Sequence, residues 1–535
     1  MAKGTFWGLA GNAFIKAFSF IYVIYIARAV SQDDVGLFYL SLSIIGLLGA
    51  WRNFGLPAAL ARYVPYYQGR KEGGKARRLL QYTYAVNALS GIGLAALLYA
   101  GAGWIGEIYQ NPALPGALRL LSSFMLLENL FSIGAGFLQS VADIKSMQAM
   151  NGAQNLLKLV FTVLFFQFFG PSLPWLIGAF LLSYVVATAL FAFPVWRAYA
   201  ALPKLGGELP GRELFMEIAP FGLALSAIQI IWTIISYSDR VILGYLLPSS
   251  NDVVAVYSLS VTLAINIMVF PGAVGGIFMP LISRLVGRKD TGAVRKAMGT
   301  AQRWLLFITL PFAVVMVCFS HEMLSALYGQ DYTGGASAMS IFIIGLLLFS
   351  FTYVISLALA GMRLVKLELK VAILMGILNV GLNFLLVPYF GMDGSALASA
   401  LSFGASALLF AHYGSEIIGF RVPSEAYKMA GAGAITFLLL LLLKPAVLSA
   451  ASAVPQLGSG ETGIYLTKGL RFGFIGAIAA FAGAIFATLC LLLKCFERED
   501  ISIMHNAARR VKMPVQLCSF MERIMLLGVS GQKGG

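Results

Sequence analysis

Apolar stretches of about twenty residues recur from one end of this chain to the other, each long enough to cross the hydrocarbon core of a bilayer at ~1.5 Å of helical rise per residue. A backbone in hydrocarbon must satisfy its own hydrogen bonds, so each stretch is read as a helix. The spans predicted are 6–30, 36–58, 79–103, 116–141, 152–170, 173–196, 217–247, 253–281, 302–327, 337–361, 371–390, 393–418, 428–449 and 470–494, fourteen in all. The fold class expected is therefore an all-α integral membrane protein. Composition agrees: 59% of the 535 residues are hydrophobic and 11% are charged, with a mean hydropathy of +0.83, whereas soluble domains carry about 25% charged residues. The first stretch is longer than a signal-peptide core, carries Lys16 in its middle and lacks a small-residue cleavage site, so it is expected to stay as a helix.

The net charge of +15 does not point to nucleic acid, because no soluble domain exists to gather the basic residues on one face. Topology accounts for it better. Arg62, Arg70, Lys71, Lys75, Arg77 and Arg78 follow the second span, and Arg284, Arg288, Lys289, Arg295 and Lys296 follow the eighth. The other even-numbered loops add Lys145, Arg197, Lys204, Arg212, Arg363, Lys366, Lys370, Arg421 and Lys428, while odd-numbered loops are nearly free of Lys and Arg. The positive-inside rule then places both termini in the cytoplasm of a prokaryotic cell, with the chain in its inner membrane and residues 496–535 as a cytoplasmic tail, amphipathic or disordered.

No enzyme is expected. The outer loops are short, the longest lying at 449–469, and His321, His412 and His505 have no partners at metal-ligand spacing. A phosphate-cradling glycine loop and a nucleophile elbow are both absent from the sequence, and Cys318, Cys490, Cys495 and Cys518 show no metal spacing. Neither a cofactor nor a metal is implied.

Shifting the sequence by 218 positions without a gap aligns Tyr39 with Tyr257 and GRKEGGKARR (Gly69 to Arg78) with GRKDTGAVRK (Gly287 to Lys296). The two strongest basic loops are copies. Each follows the second helix of its half, and the period holds six helices. The organisation expected is an N-terminal lobe at 1–205, a second lobe at 206–420, two further helices within 421–495 and the tail. An even number of helices per repeat makes the repeats parallel, so a substrate site between rocking lobes is expected.

The strings IARAVSQDDVGLFYLSLSIIGLL (Ile26 to Leu48), FGLPAALARYVPYYQGR (Phe54 to Arg70), YSDRVILGYLLPSSNDVVAVYSLS (Tyr237 to Ser260) and FGMDGSALASALS (Phe390 to Ser402) resemble the polysaccharide flippases of the Wzx type. These belong to a superfamily with MATE drug exporters and lipid II flippases, and the similarity covers nearly the whole chain. The resemblance implies a fourteen-helix protein that turns a polyprenyl- or dolichyl-pyrophosphate-linked oligosaccharide from the cytoplasmic leaflet to the outer one. Lipid-linked oligosaccharide and membrane lipids are the partners it implies, together with glycosyltransferases or a polymerase of the same pathway. The sequence departs from the family pattern at Val254, where a glycine commonly stands.

Charges at membrane depth cost at least ~2.5–3.5 kcal/mol each on insertion scales and are functional candidates by default. Asn12, Lys16 and Ser19 form a polar stripe on the first helix, with Lys16 near the midplane; Asn151, Asn155, Lys158 and Thr162 do so on the fifth, and Ser226, Gln229, Thr233, Ser236 and Arg240 on the seventh. Lys16, Lys158 and Arg240 suit an anionic pyrophosphate, while Asn12, Asn155, Gln229 and Thr233 suit sugar hydroxyls. The plainer readings are that Lys158 snorkels to an interface and that Arg240 pairs with Asp239 or clamps another helix. On the fourth helix Glu128 is either a cation or proton site or a salt-bridge partner for Lys16 or Lys158. Arg28 and Arg52 are weaker candidates, for ordinary lipid phosphates. A MATE-type cation-coupled multidrug antiporter would want a carboxylate in the first or seventh helix; Asp239 keeps that alternative open. A non-transporting scaffold for glycan-synthesis enzymes is the alternative from another class.

Overall fold

A computed structural model of the chain describes all residues except 1, 53–54, 204–210, 363, 453–460, 498, 502–504, 506–521, 524–525, 527 and 529–535; at 2–6, 9–10, 51, 58, 211–225, 228, 276–277, 450–452 and 461–475 only the backbone is described. Cys518 and most of the expected tail lie outside the described residues. The helices are α1 (Ala2–Ala29), α2 (Gln32–Leu48), α3 (Leu56–Gly69), α4 (Gly73–Ile108), α5 (Leu114–Leu121), α6 (Phe124–Ser140), α7 (Ile144–Phe169), α8 (Leu173–Ala201), α9 (Gly211–Leu246), α10 (Asn251–Ile265), α11 (Val269–Gly287), α12 (Thr291–Cys318), α13 (Ser320–Leu327), α14 (Ala336–Gly361), α15 (Val365–Tyr413), α16 (Ser424–Ser452) and α17 (Glu461–Leu492). The protein is all-α, as expected.

Among the described residues ten helical stretches are long and apolar enough to cross a membrane. One of them, Val365–Ile418, runs for 54 residues, about 80 Å of helix against a hydrocarbon core of ~30 Å. Gly391, at φ 54° and ψ −131°, breaks it between the spans predicted at 371–390 and 393–418, in a backbone region that only glycine enters readily.

The second and eighth predicted spans are broken helices. α2 stops at Leu48, a 3₁₀ turn covers Gly49–Trp51, and Gly55 takes the left-handed conformation (φ 68°) before α3 opens with Pro57 in its first turn. α10 gives way at Asn266–Met268 to another 3₁₀ turn before α11. There the cause is Pro271: its ring clashes with the carbonyl four residues back, at Ile267, and removes one helical donor.

The turns that end α3 and α11 share one backbone course. Lys71 and Lys289 both sit in the left-handed region, at φ 61° and 57°. The Glu72 amide donates to the Tyr67 carbonyl (2.8 Å) and the Asp290 amide to the Leu285 carbonyl (3.3 Å), closing each helix with the wide loop of a Schellman turn. α4 then starts at Gly73 and α12 at Thr291. Every pair lies 218 positions apart, so the decapeptide copies fold alike.

The chain packs as two compact units, Met1–Leu259 with Asn379–Ser395, and Ser260–Leu378 with Ala396–Gly535. In the first unit glycines let helices approach closely: a Cβ on Gly46 would stand 2.5 Å from the Tyr237 ring, and one on Gly244 2.7 Å from Leu40. In the second unit Leu306, Ala426, Met429 and Phe486 pack with Cys490, Cys495 and Phe496. The residues just after α17 are tied down there by Arg303, which donates to Glu497 (2.7 Å) and Asp500 (3.1 Å), while the Trp304 indole N–H also donates to Asp500 (3.0 Å).

The tight approach of α2 to the start of α10 gives a direct test. A Cβ on Gly36 would stand 1.8 Å from the Asn251 carbonyl oxygen, so Gly36→Ala must push α2 away from the start of α10. The expected loss is about 1–3 kcal/mol, seen as a lowered thermal midpoint. Gly93→Ala, with nothing within 4 Å of the new methyl, is expected to be neutral or slightly stabilising.

Candidate functional site

α1 and α7 form a polar seam in the first unit. Gly11 sits against Gln148, where a Cβ would come within 2.7 Å, and Phe14 lies over Gly152. From that approach Ser19 Oγ donates to Asn155 Oδ1 (3.1 Å), and Lys158 Nζ donates to the same oxygen (3.2 Å). The Lys158 ammonium also stands 4.5 Å from the centre of the Tyr22 ring, whose face attracts a cation. α7 begins at Ile144, earlier than the predicted 152, so Lys158 stands near the middle of a 26-residue helix. It is held by Asn155 and Tyr22 rather than extended to an interface. Asn12 and Lys16 lie exposed on α1, with Lys16 one turn before Ser19.

A second cluster surrounds Asp239 on α9. Its carboxylate accepts from the Tyr257 hydroxyl (2.7 Å), from Asn379 Nδ2 (3.1 Å) and from Asn383 Nδ2 (2.9 Å). Ser238 Oγ donates to Asn379 Oδ1 (2.7 Å), and Ser395 Oγ to Asn383 Oδ1 (2.6 Å). All six side chains are buried. The result is a buried carboxylate whose negative charge is held by three hydrogen-bond donors, two amide N–H groups and a phenol, with the amide oxygens turned to the Ser238 and Ser395 hydroxyls. Asn379 and Asn383 stand one helical turn apart on α15, so one face supplies both. Arg240, next in the chain, places its guanidinium over the Tyr39 ring at 5.8 Å. Thr233 turns its hydroxyl back to the Gln229 carbonyl (2.8 Å), and Gln229 is exposed.

The third feature arises from the break between α2 and α3. Arg52, just past the 3₁₀ turn, forms an ion pair with Glu128 on α6, so the partner of Glu128 is neither Lys16 nor Lys158. Gly49 makes this possible: a Cβ there would stand 2.9 Å from the Arg52 guanidinium. Around the pair, Ser90 Oγ donates to the Arg52 carbonyl (3.0 Å) and Asn129 Nδ2 to the Asn87 carbonyl (3.0 Å). Irregular backbone is tolerated at membrane depth where protein surrounds it, which this network provides. Arg52 therefore faces into the unit rather than toward lipid phosphates.

A family model described as polysaccharide biosynthesis protein matches residues 1–275, just over half of the chain. The chain belongs to that family. A second model, described as MatE, matches residues 224–385, a range that contains Asp239, Tyr257, Asn379 and Asn383. The chain is 20% identical over 434 residues to a probable low-salt glycan biosynthesis flippase, Agl15, of Haloferax volcanii, covering 79% of this chain and 85% of the relative. It is 21% identical over 524 residues to the lipid II flippase MurJ of Bacillus subtilis, covering 92% and 94%. Its fold matches a solved structure of a lipid II flippase MurJ in an inward closed conformation, with a TM-score of 0.70 at 14% identity over 91% of this chain and 98% of that one. The family chain is thus a multi-pass helical membrane protein with the fold of membrane transporters.

The polar stripes on the first, fifth and seventh helices were legible as i, i+3 and i+4 patterns. Tyr22, Asn379, Asn383 and Ser395 were missed, although the same pattern search on the eleventh span picks out Asn379 and Asn383. For the ion pair, Glu128→Gln leaves a largely covered guanidinium without its counter-charge, an expected loss of about 1–3 kcal/mol, and the double variant Arg52→Gln/Glu128→Gln is expected to recover most of it. Thermal unfolding of both variants beside the single Arg52→Gln reads the coupling; equal midpoints in all three would contradict it.

Proposed function

We propose that this chain is a flippase that moves a polyprenyl- or dolichyl-pyrophosphate-linked oligosaccharide across the cytoplasmic membrane of a prokaryote by alternating access. Family membership supports transport of glycan precursors, and the named flippases among its relatives support a lipid-linked substrate. The observation that carries the reading is the cation on the α1–α7 seam: Lys158, held by Asn155 and Tyr22, presents positive charge at mid-helix. A pyrophosphate is the anion such a site suits. In this reading Lys16 and Arg240 add charge, and Asn12, Asn155, Gln229 and Thr233 meet sugar hydroxyls. The six-plus-six-plus-two organisation at 1–205, 206–420 and 421–495 is supported by the turn that recurs at Lys71 and Lys289. The basic loops support cytoplasmic termini, with glycosyltransferases or a polymerase as further partners on that side.

The Asp239 cluster supplies the coupling step. A proton on the carboxylate, or a cation that displaces its three donors, changes the charge and hydrogen bonding of a packed helix pair, and so can bias one transport state over another. This is also the feature that favours the second reading, a MATE-type antiporter.

Transport in proteoliposomes distinguishes the two. With a fluorescent isoprenyl-pyrophosphate oligosaccharide, the wild type is expected to move the lipid, Lys158→Met to slow it at least tenfold, and Asp239→Asn to retain downhill movement while losing acceleration by a sodium or proton gradient. If the wild type instead exports a cationic dye and ignores the glycolipid, the antiporter reading replaces the flippase.

A further inference from the structure

A crevice of about 550 Å³ opens among α4, α6, α7 and α8 of the first unit, separate from the three clusters above. Its volume is that of a typical small-ligand site. Leu130, Phe191 and Val195 supply apolar walls. Thr188 brings a buried hydroxyl that has no hydrogen-bond partner among the described residues. At the rim Gln81 Nε2 donates to the Tyr199 hydroxyl (2.8 Å).

A fixed cation stands on that rim. The Arg77 guanidinium stacks over the Tyr199 ring at 4.7 Å, while its Nε donates to the Leu202 carbonyl and its Nη2 to the Ala200 carbonyl, both at 2.9 Å. These bonds cap the end of α8 and leave Nη1 uncommitted among the described residues. Arg197 lies exposed beside Trp196, itself a crevice residue that is 62% exposed. Gln81 stands two turns into α4, and Tyr199 two residues before the end of α8. The crevice therefore lies at the depth of the leaflet nearest the basic loops.

We infer that this crevice holds one acyl chain of a resident anionic phospholipid, with its headgroup phosphate on Arg77 and Arg197. Lipid tails are as apolar as the walls, so moving a chain from bilayer to crevice brings little hydrophobic gain. Selectivity must come from the rim, and a phosphate bearing net negative charge answers a guanidinium already held in place. The same rigidity argues for a resident lipid over a transported one, since Arg77 is committed to the helix end it caps. Such a lipid would be held whichever substrate the chain carries.

Native mass spectrometry of the full chain with palmitoyl-oleoyl phosphatidylglycerol or phosphatidylcholine tests it. The wild type is expected to retain one phosphatidylglycerol at least tenfold better than phosphatidylcholine. Ala192→Phe, which puts a ring into the crevice, is expected to lose that adduct. Arg197→Gln, a surface change that leaves packing untouched and serves if the filled variant does not fold, is expected to cut the preference for phosphatidylglycerol severalfold. Equal retention of both lipids by the wild type, or an unchanged preference in Arg197→Gln, would overturn the proposal. Photolabelling of the α8 crevice by an isoprenyl pyrophosphate in place of phosphatidylglycerol would overturn it too.

Discussion

The cost of putting charge and open backbone into hydrocarbon governs this structure. Each intramembrane charge carries a penalty of at least ~2.5–3.5 kcal/mol, and each unsatisfied backbone group adds to it. Lys158 meets an amide oxygen and an aromatic face, Asp239 meets three donors, and Arg52 meets Glu128. The arrangements differ in what they leave over. The Arg52–Glu128 pair neutralises itself and serves packing. Lys158 is held by neutral groups, so its net charge stays available to an anion, and Asp239 is held by neutral donors, so its carboxylate keeps a net negative charge.

Helix breaks follow from the same constraint. The 3₁₀ turn at Gly49–Trp51 delivers Arg52 toward α6, and the turn at Asn266–Met268 is forced by Pro271. In each case the break falls in the helix that leads into a copied basic loop. The loops themselves repeat down to the left-handed lysine, a conformation that disfavours side chains by about 1–2 kcal/mol and yet occurs in both copies.

Much of the fold was legible because hydrocarbon thickness imposes a length scale that a hydropathy pattern carries directly. Gly391 falls in the gap between two predicted spans, since Gly391, Asp393 and Gly394 interrupt the apolar run there. The breaks in the second and eighth spans were not read, although Gly55 with Pro57, and Pro271, carried the signal; an apolar average over twenty residues hides a local dihedral. The pairing of Arg52 with Glu128 and the reach of Asn379 and Asn383 to Asp239 join residues 76 and 140 or more positions apart, and a single sequence records no such distance. Helical periodicity could show which residues share a face, but not which faces meet.

In the proposed function the cation on the α1–α7 seam meets a pyrophosphate. Binding of an isoprenyl pyrophosphate to the protein in nanodiscs of neutral lipid, compared with the matching isoprenyl alcohol, tests it most directly. The wild type is expected to bind the pyrophosphate at least tenfold more tightly, Lys158→Met to erase most of that preference, and added salt to weaken wild-type binding. Equal affinity for the alcohol and the pyrophosphate, or a preference that survives Lys158→Met, would contradict it.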